Sequence, residues 1–348
     1  MGGEYKISVV VPAYNVGEFI RRTIKSLVAQ SIKGVEIIIV YTPSEDNTLD
    51  VIGSTIEECG DELNGKTIRV LKERQRGVSV ARNRGLKVAR GDFILFLDGD
   101  DFLHNLCLGK LFEMCVRSKA DVVFCGFDTV VIEGGKKITF SKYTDSLYYL
   151  SRPVVGLKAL ELYLAGSIWP WLGSTMFSKE FLRKNNISFD THLYYGEDKL
   201  FIIQSLFNAD KVYNVKESLS YYVCRLDSAS KKISLRRYDG IRAMFRAYRY
   251  LKLNKCPSEI LKILENYKLP LTSYYILKLF ETSDMYDEFV KHYDSYFLES
   301  ILKNYTPVYL NLNNLKVYIG IKLYLSKFRN LLKLYWSIYD NTISLISK

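Results

Sequence analysis

The chain has 348 residues, a net charge of +11 and 48% hydrophobic residues, the balance of an ordinary globular protein. It contains no run of about 18 apolar residues, so a membrane-spanning helix is not expected. The start of the sequence has no apolar signal core either. We therefore expect a protein of the cytoplasm, with one large domain or a catalytic domain and a smaller annex.

The positive charge is concentrated in the last third of the chain. Residues 231–348 contain 20 Lys and Arg against 10 Asp and Glu, whereas the first 230 residues are nearly neutral. An acidic partner would therefore be met by the last third. The basic residues are spread along the whole segment without a recognition motif, so nucleic acid is not an expected partner.

The first 127 residues alternate between short apolar runs and amphipathic stretches. This alternation predicts β–α–β units, and therefore an α/β fold with a mostly parallel sheet covered on both faces. The predicted strands are Ile7–Val11, Val35–Val40, Ile68–Leu71, Phe93–Leu97 and Val122–Phe127, and the predicted helices lie near 19–30, 49–59, 78–89 and 106–116. In such sheets ligands bind at the carboxyl ends of the strands.

After residue 127 the regular alternation ends. We predict a hairpin over 130–140, short helices over 157–164 and 179–184, and short strands over 212–215 and 219–223. From about residue 233 the chain is rich in Lys, Tyr and Leu and its pattern is helical throughout. These changes predict a domain over residues 1–230 and a basic, aromatic-rich helical region over 231–348.

Three carboxylates follow the predicted strand Phe93–Leu97 within four residues, in Asp98-Gly99-Asp100-Asp101. Carboxylates this close repel one another, so the cluster needs a counter-cation. Mg²⁺ or Mn²⁺ held by carboxylate and phosphate oxygens would supply it and would neutralise charge on a diphosphate. The alternative is a solvated acidic turn that caps the next helix, and the loop alone does not separate the two.

Three further segments carry polar side chains that could serve a site. Glu197 and Asp198 open a predicted helix, where they either cap it or provide a general base. Arg82 and Asn83 fall in the first turns of another helix, either on its surface or facing the acidic loop. Arg225 could meet a phosphate. Each of these segments is weak evidence by itself.

Taken together, these segments resemble family 2 glycosyltransferases in their order and spacing. The matching motifs are Val9-Val10-Val11-Pro12-Ala13-Tyr14-Asn15, Arg82-Asn83-Arg84-Gly85, Phe96-Leu97-Asp98-Gly99-Asp100-Asp101 and Gly196-Glu197-Asp198. The resemblance covers residues 5–228. It implies a Rossmann-like GT-A fold, a nucleotide-diphosphate sugar donor, a divalent metal and inversion at the anomeric carbon. Residues 1–127 would then form the nucleotide-sugar half and residues 128–230 the acceptor half.

The resemblance also implies roles for individual residues. Asp98 and Asp100 would face the donor and the metal, with Gly99 between them and Asp101 in support. The other implied donor-side residues are Pro12, Ala13 and Tyr14 in the nucleotide pocket and Arg82 beside the base or ribose. Asp198 takes the position of the catalytic base, with Glu197 beside it. Trp169 and Trp171 fall on the acceptor side, where they either stack on sugars or pack in the core.

One segment departs from the family pattern. After the second strand the family usually shows Asp-Asp-Gly-Ser-x-Asp, whereas this chain has Tyr41-Thr42-Pro43-Ser44-Glu45-Asp46. Asp46 matches the last carboxylate, but the two leading carboxylates are replaced. Tyr41 could stack on a base, and Thr42 could accept a hydrogen bond from uracil. A UDP-sugar remains the first expectation for the donor, but the altered pair leaves the base open.

The tail over residues 316–339 has apolar residues at helical spacing and Lys or Arg on the other face. One interpretation is an interfacial helix on anionic lipid, which would place the protein at the inner face of the cell membrane. The other is a helix that packs on protein, either on its own domain or in a homo-oligomer. The pattern fits both.

The resulting prediction is an inverting, metal-dependent glycosyltransferase that acts on a glycan or lipid-linked oligosaccharide in surface polysaccharide synthesis. A nucleotidyltransferase is one alternative, but it would need a Gly-rich phosphate loop where this chain has Pro12-Ala13-Tyr14-Asn15. The other alternative is an inactive, scaffolding relative, which the replaced residues Tyr41 and Thr42 suggest. The retained Asp98, Asp100 and Asp198 count against it.

Overall fold

A computed structural model describes residues 5–133, 136–142, 150–224, 234–281, 300–307, 317–319, 321–322 and 325. The chain forms two compact units, Met1–Ser230 and Lys231–Lys348.

The first unit is built on one mixed sheet, which has nine strands in the described residues. The strands are β1 (Ile7–Ala13), β2 (Val35–Tyr41), β3 (Lys66–Lys72), β4 (Phe93–Phe96), β5 (Phe102–Leu103), β6 (Val122–Glu133), β7 (Lys136–Lys142), β8 (Thr175–Ser178) and β9 (Val212–Val223). Their order is β3-β2-β1-β4-β8-β6-β9-β5, with β7 beside β6.

Most of these strands run in one direction. Strands β1, β2, β3 and β4 pair in parallel. Strand β8 is antiparallel to both β4 and β6, so β6 again runs with β4, and β9 pairs with β6 in parallel. The predicted α/β fold with a mostly parallel sheet is therefore confirmed, and β5, β7 and β8 are the strands that run in the opposite direction.

Helices cover the sheet as its apolar strands require. They are α1 (Ile20–Val28), α2 (Thr48–Cys59), α3 (Val78–Val88), α4 (Cys107–Ser118), α5 (Gly156–Leu164), α6 (Lys179–Lys184) and α7 (Glu197–Asn208). Every residue of β2 is buried, as expected of a strand that is covered on both faces. Helix α3 lies directly against β1, because a Cβ at Gly85 would stand 2.3 Å from Val10 Cγ1.

The second half of this unit agrees with its prediction in part: the hairpin over 130–140 is present as β6 and β7, and the helices over 157–164 and 179–184 are present as α5 and α6. The segment 122–133 is one strand with a register shift between Thr129 and Val130, and 212–223 is also one strand. The break predicted between residues 215 and 219 is absent, and Ser218 within it donates from Oγ to Asp128 Oδ1 at 2.6 Å. Strands β5 and β8 were not predicted, since two and four residues are too short to show a period.

The regular structure described in the second unit is helical, as predicted. It comprises a 3₁₀ turn over Leu235–Tyr238, α8 (Asp239–Leu253), α9 (Ser258–Ile263), a π-helical turn over Leu264–Lys268 and α10 (Leu269–Glu281). Of the tail over 316–339, only residues 317–319, 321–322 and 325 are described, and they are helical. In the described parts of the chain, no helix has both the length and the apolar content needed to span a bilayer.

Candidate active site

The carboxyl ends of β1, β2 and β4 lie side by side, because β1 is flanked by β2 and β4 in the sheet. The segments that follow them therefore meet at one edge. They are residues 14–19 after β1, 42–47 after β2 and the acidic loop 98–101 after β4. This edge is where ligands of parallel α/β sheets bind.

Two side chains of α1 hold the backbone of the acidic loop. Thr23 Oγ1 lies 2.9 Å from Gly99 O and 2.7 Å from Asp101 O, and Arg22 Nη2 donates to Asp100 O at 3.0 Å. Gly99 is required by close packing, since a Cβ there would stand 2.9 Å from Pro12 O. These contacts fix the backbone and leave the carboxylates of Asp98 and Asp100 partly exposed.

Arg82 joins the two acidic segments that the sequence singled out. Its side chain is only 4% exposed. Nη2 contacts Asp98 Oδ1 at 2.7 Å, and Nη1 contacts Glu197 Oε1 at 2.9 Å. The resemblance places Arg82 beside the base or ribose, whereas here its terminal nitrogens donate to two carboxylates. Because the three residues come from α3, the β4 loop and α7, one guanidinium connects three elements of the fold.

The carboxylates of Glu197 and Asp198 differ in their burial and in their partners. Burial raises the pKa of Glu197 to about 7, and the neighbouring Asp198 adds to this effect while Arg82 opposes it. Burial also acts on Arg82, but the charges of Asp98 and Glu197 outweigh it and raise the pKa of Arg82. Asp198 is less buried, and its Oδ1 accepts a hydrogen bond from Lys199 N at 2.7 Å. Glu197 is thus committed to Arg82, while Asp198 is the more accessible carboxylate.

Asp101 has a structural position within the acidic loop. It is 1% exposed, and its Oδ1 accepts a hydrogen bond from Val223 N, at the end of β9, at 2.8 Å. Burial and the neighbouring Asp100 and Asp98 raise its pKa well above the ordinary value. Asp101 therefore supports the backbone of the loop from inside the fold.

The segment after β2 is held by contacts within the protein. Asp46 Oδ2 accepts from Gly17 N at 2.9 Å, and Asp46 Oδ1 accepts from Thr48 N at 3.1 Å. Burial acts against these hydrogen bonds, but they lower the pKa of Asp46. Tyr41 packs in the core with 8% exposure, and its hydroxyl accepts from Ser44 N at 3.2 Å. The predicted contacts of Asp46 and Tyr41 with a nucleotide would therefore compete with contacts already made.

The remaining donor-side residues line the edge between β1 and β2. Ala13 is buried and its carbonyl accepts from Thr42 N at 2.9 Å, so these two residues fix the backbone there. Pro12 is partly buried. Tyr14 is 40% exposed, with the Arg76 guanidinium 5.4 Å from its ring centroid. Tyr14 is thus an aromatic side chain of this edge that is open to a ligand.

The residues predicted on the acceptor side have aromatic neighbours. The ring of Trp171 lies 5.0 Å from Phe127 and 5.6 Å from Tyr222, and Trp169 lies 6.5 Å from Tyr163. Both tryptophans are partly exposed, so packing and sugar contact remain compatible. Arg225, predicted to meet a phosphate, lies outside the described residues.

The donor set suits a divalent ion that is shared with a ligand. Within the described residues, no three His, Cys, Asp or Glu side chains converge as an all-protein metal cage would require. Mg²⁺ is commonly held by one or two carboxylates together with substrate phosphates and water. Asp98 and Asp100 provide such carboxylates at an exposed edge, and the buried Asp101 Oδ2 has no hydrogen-bond partner. The residues present therefore fit a metal bound together with a diphosphate.

One residue of this region was not identified from the sequence. Phe189 exchanges two hydrogen bonds with the side chain of Asn83, and its ring stacks on Phe201 at 4.1 Å. A single phenylalanine in an irregular segment gives no signal in a sequence. Only its position between α3 and α7 shows that it belongs to the site.

Comparisons with known proteins identify the family. A profile of glycosyl transferase family 2 matches residues 8–192, more than half of the chain. The uncharacterized glycosyltransferase YibD of Escherichia coli is 29% identical over 66% of this chain and 65% of its own length. The poly(ribitol-phosphate) beta-N-acetylglucosaminyltransferase TarP of Staphylococcus aureus is 28% identical over 68% of each chain. The matched region spans less than two thirds of YibD.

Solved structures agree on the fold. Staphylococcus aureus TarS 1–349 in complex with UDP-GlcNAc aligns with a TM-score of 0.57 and 20% identity, covering 95% of this chain and 87% of that one. A mannosyltransferase from Pyrobaculum calidifontis in complex with GDP-Man and Mn²⁺ aligns with a TM-score of 0.52 and 15% identity, covering 95% and 84%. The GT-A fold is thereby confirmed, and with the profile match over residues 8–192 the chain belongs to glycosyl transferase family 2.

Proposed function

We propose that this protein is an inverting, metal-dependent glycosyltransferase that moves a sugar from a nucleotide-diphosphate donor to a glycan or lipid-linked acceptor. The observation that carries the proposal is the buried guanidinium of Arg82, which holds Asp98 and Glu197 at 2.7 Å and 2.9 Å. It brings a donor-side carboxylate and the acidic pair that contains the base into one site. An acidic turn and a helix cap with no common function would not need to share a buried cation.

The chain's own residues provide binding and proton transfer. Asp98 and Asp100 would hold a divalent ion, which when bound neutralises charge on the departing diphosphate. Asp198 would accept the proton of the acceptor hydroxyl, since it is the accessible member of the pair at the start of α7. One base and one in-line attack give a single displacement, and the configuration of the anomeric carbon is then inverted.

The proposed donor is a UDP-sugar. TarS structures contain UDP and UDP-GlcNAc, whereas the Pyrobaculum mannosyltransferase contains GDP-Man, so the fold accepts different bases. In this chain the open aromatic Tyr14 and the segment Pro12–Ala13 would line the nucleotide pocket, with Thr42 beside them. Tyr41 and Asp46 already make hydrogen bonds within the protein, so we expect them to contribute less to nucleotide binding.

The proposed acceptor is a polymer or a lipid-linked oligosaccharide. TarP and TarS are named as enzymes that modify poly(ribitol-phosphate), and both are similar to this chain. Trp169 and Trp171 would contact acceptor sugars through their exposed portions. A basic tail over 316–339 would hold the enzyme at an anionic membrane surface on the cytoplasmic side.

Donor turnover tests the proposed function. The protein should release nucleotide from one member of a panel of UDP-, GDP- and dTDP-sugars when Mn²⁺ or Mg²⁺ is present. Asp198→Asn should reduce transfer by about 1,000-fold or more while donor affinity stays within about threefold. Asp50→Asn is the matched control, because Asp50 also lies in the first turn of a helix and is exposed. Turnover by no donor, or equal losses in the two variants, would contradict the proposal.

Metal dependence is tested by binding. Calorimetry with UDP should show affinity that requires Mn²⁺ in the wild-type protein and is lost in Asp100→Ala. Nucleotide affinity that is the same with EDTA as with Mn²⁺ would contradict the metal assignment.

For the tail, flotation with vesicles that contain anionic lipid should recover the full chain but not a chain truncated at residue 310. Equal flotation would favour packing on protein, or a homo-oligomer.

A further inference from the structure

Two neighbouring residues of α3 hold the two ends of one loop. Asn83 Nδ2 donates to Phe189 O at 2.8 Å, and Phe189 N donates to Asn83 Oδ1 at 2.9 Å. At the other end of the loop, Arg82 holds Glu197. Residues 190–196 are therefore fastened on both sides to the helix that also contacts Asp98.

The ring of Phe189 contacts the same three elements as the Arg82 guanidinium. It is stacked on Phe201 of α7 at 4.1 Å, with an interplanar angle of 6°. Its centroid lies 4.9 Å from Phe96, the last residue of β4, in an edge-on contact. The Arg82 guanidinium carbon stands 5.2 Å from the ring centroid. Phe189 is 3% exposed, so these contacts are made in the interior.

The loop between the two fastened ends faces solvent for much of its length. Thr191 and His192 are exposed, and Tyr194 is 51% exposed. Gly196 then enters α7 with a φ of +79°, a left-handed conformation that favours glycine. Asp198 lies two residues after Gly196, so the end of this loop is adjacent to it.

We propose that Asn83 and Phe189 are positioning residues. The two hydrogen bonds between them, which we call the Asn83–Phe189 clasp, set the position of Asp198 relative to Asp98 and Asp100. This inference rests on the proposed function, in which those carboxylates are the base and the donor site. An Asn side chain suits the task because it donates and accepts at once, and so matches the N–H and C=O of one extended residue. A displacement of about 1 Å in such a site can reduce the rate about 100-fold.

The test compares Asn83→Ala with Asn214→Ala. Asn214 is the matched control, a buried amide on β9 whose Oδ1 accepts from Leu150 N at 2.9 Å. Asn83→Ala should lower kcat about 30- to 100-fold while donor Kd stays within about twofold, because α3 and the acidic loop remain in place. Asn214→Ala should lower the melting temperature to a similar extent and change kcat less than about threefold. Equal kcat losses, or a loss of donor affinity that matches the loss of kcat, would overturn the proposal.

A second variant separates the ring from the backbone clasp. Phe189→Leu keeps an apolar side chain and both backbone hydrogen bonds, so we expect a smaller kcat loss of about 5- to 10-fold with unchanged donor Kd. If Asn83→Ala does not fold, Asn83→Gln retains both hydrogen-bonding groups on a longer side chain and should show the same split between kcat and Kd. If Phe189→Leu has the wild-type kcat, the ring of Phe189 does not help to position Asp198.

Hydrogen exchange measures the clasp without turnover. In the ligand-free protein, Asn83→Ala should speed amide exchange at Phe189 and across residues 190–198, whereas Asn214→Ala should leave these amides unchanged. Exchange that Asn83→Ala does not alter would overturn the clasp even if the enzyme is active. A wild-type protein that turns over no donor would overturn the proposed function, and the exchange result would still decide whether the clasp positions this loop.

Discussion

The loops after β2 and β4 both place carboxylates at the same edge of the sheet, but they satisfy those carboxylates differently. Asp46, after β2, accepts hydrogen bonds from Gly17 and Thr48 beside it. Asp98, after β4, is met by a buried guanidinium from α3, and its side chain remains 35% exposed. Asp46 is exposed too, but both of its carboxylate oxygens already accept backbone hydrogen bonds that stabilise the loop. A carboxylate held by one ion pair keeps acceptor capacity for a ligand.

This difference shows that a match to a family motif does not by itself make a carboxylate a ligand-binding group. Asp46 and Asp98 occupy family positions of similar character at the ends of β2 and β4, on either side of β1. Their partners predict that Asp46 mainly stabilises its loop and that Asp98 serves the proposed site. Substitutions at the residues that hold the two loops test this contrast.

The largest effect is expected from removal of the ion pair that distinguishes the acidic loop. Arg82→Met leaves Glu197 buried without its counter-charge, which should lower the free energy of unfolding by about 3–5 kcal/mol. Urea denaturation measures it. Arg82→Lys keeps the charge but loses the two-point geometry, so it should recover part of the stability and little activity. A loss below about 1 kcal/mol for Arg82→Met would contradict a structural role for the bridge.

Replacement of Asp98 should affect activity more than stability. We expect Asp98→Asn to lower kcat/KM about 100- to 1,000-fold, because electrostatic stabilisation of the departing diphosphate is lost. Steady-state transfer assays with the donor that the panel of nucleotide sugars identifies measure it. Asp46→Asn is the control, and its activity per folded molecule should change less than about threefold. Similar activity losses in both variants would remove the contrast between the loops.

The pH dependence of stability should reveal the buried Glu197. Its pKa is about 7 in the folded protein, against an ordinary value of 4.5, so the folded state binds this proton more tightly. The resulting stabilisation is complete below about pH 4.5 and is lost as the pH rises through about 7. Relative to Glu197→Gln, the wild-type free energy of unfolding should fall by about 3 kcal/mol between pH 4.5 and pH 8. A constant difference between the two proteins would show that Glu197 does not titrate in this range.

The smallest effect is expected in the loop after β2. Asp46→Asn weakens hydrogen bonds to Gly17 and Thr48 without removing all of them, so the free energy of unfolding should fall by about 1 kcal/mol. Chemical denaturation measures it. Because hydrogen bonds lower the pKa of Asp46, its contribution is present above the ordinary pKa and is lost as the pH falls through the lowered value. If Asp46→Asn has wild-type stability but binds nucleotide less tightly, Asp46 contacts the donor instead.

Much of the first unit could be predicted because its signals are local. The strands β1, β2, β3 and β4 are apolar runs separated by amphipathic helices, and such runs can be recognised without knowing the fold. The later strands could not be predicted as well. Strand β8 has four residues, and β9 contains the polar run Lys216-Glu217-Ser218, where the sequence predicts a break.

That Asp98 and Asp100 follow a buried strand and that Glu197 and Asp198 open a helix could be predicted from the residues alone, because these are properties of short segments. Which of these groups meet depends on how the chain folds. Arg82 and Glu197 are 115 residues apart, and Asn83 and Phe189 are 106 apart. Contacts at such separations depend on how α3, β4 and α7 pack, and packing is a property of the whole core. The same packing joined Asp98 to the acidic pair.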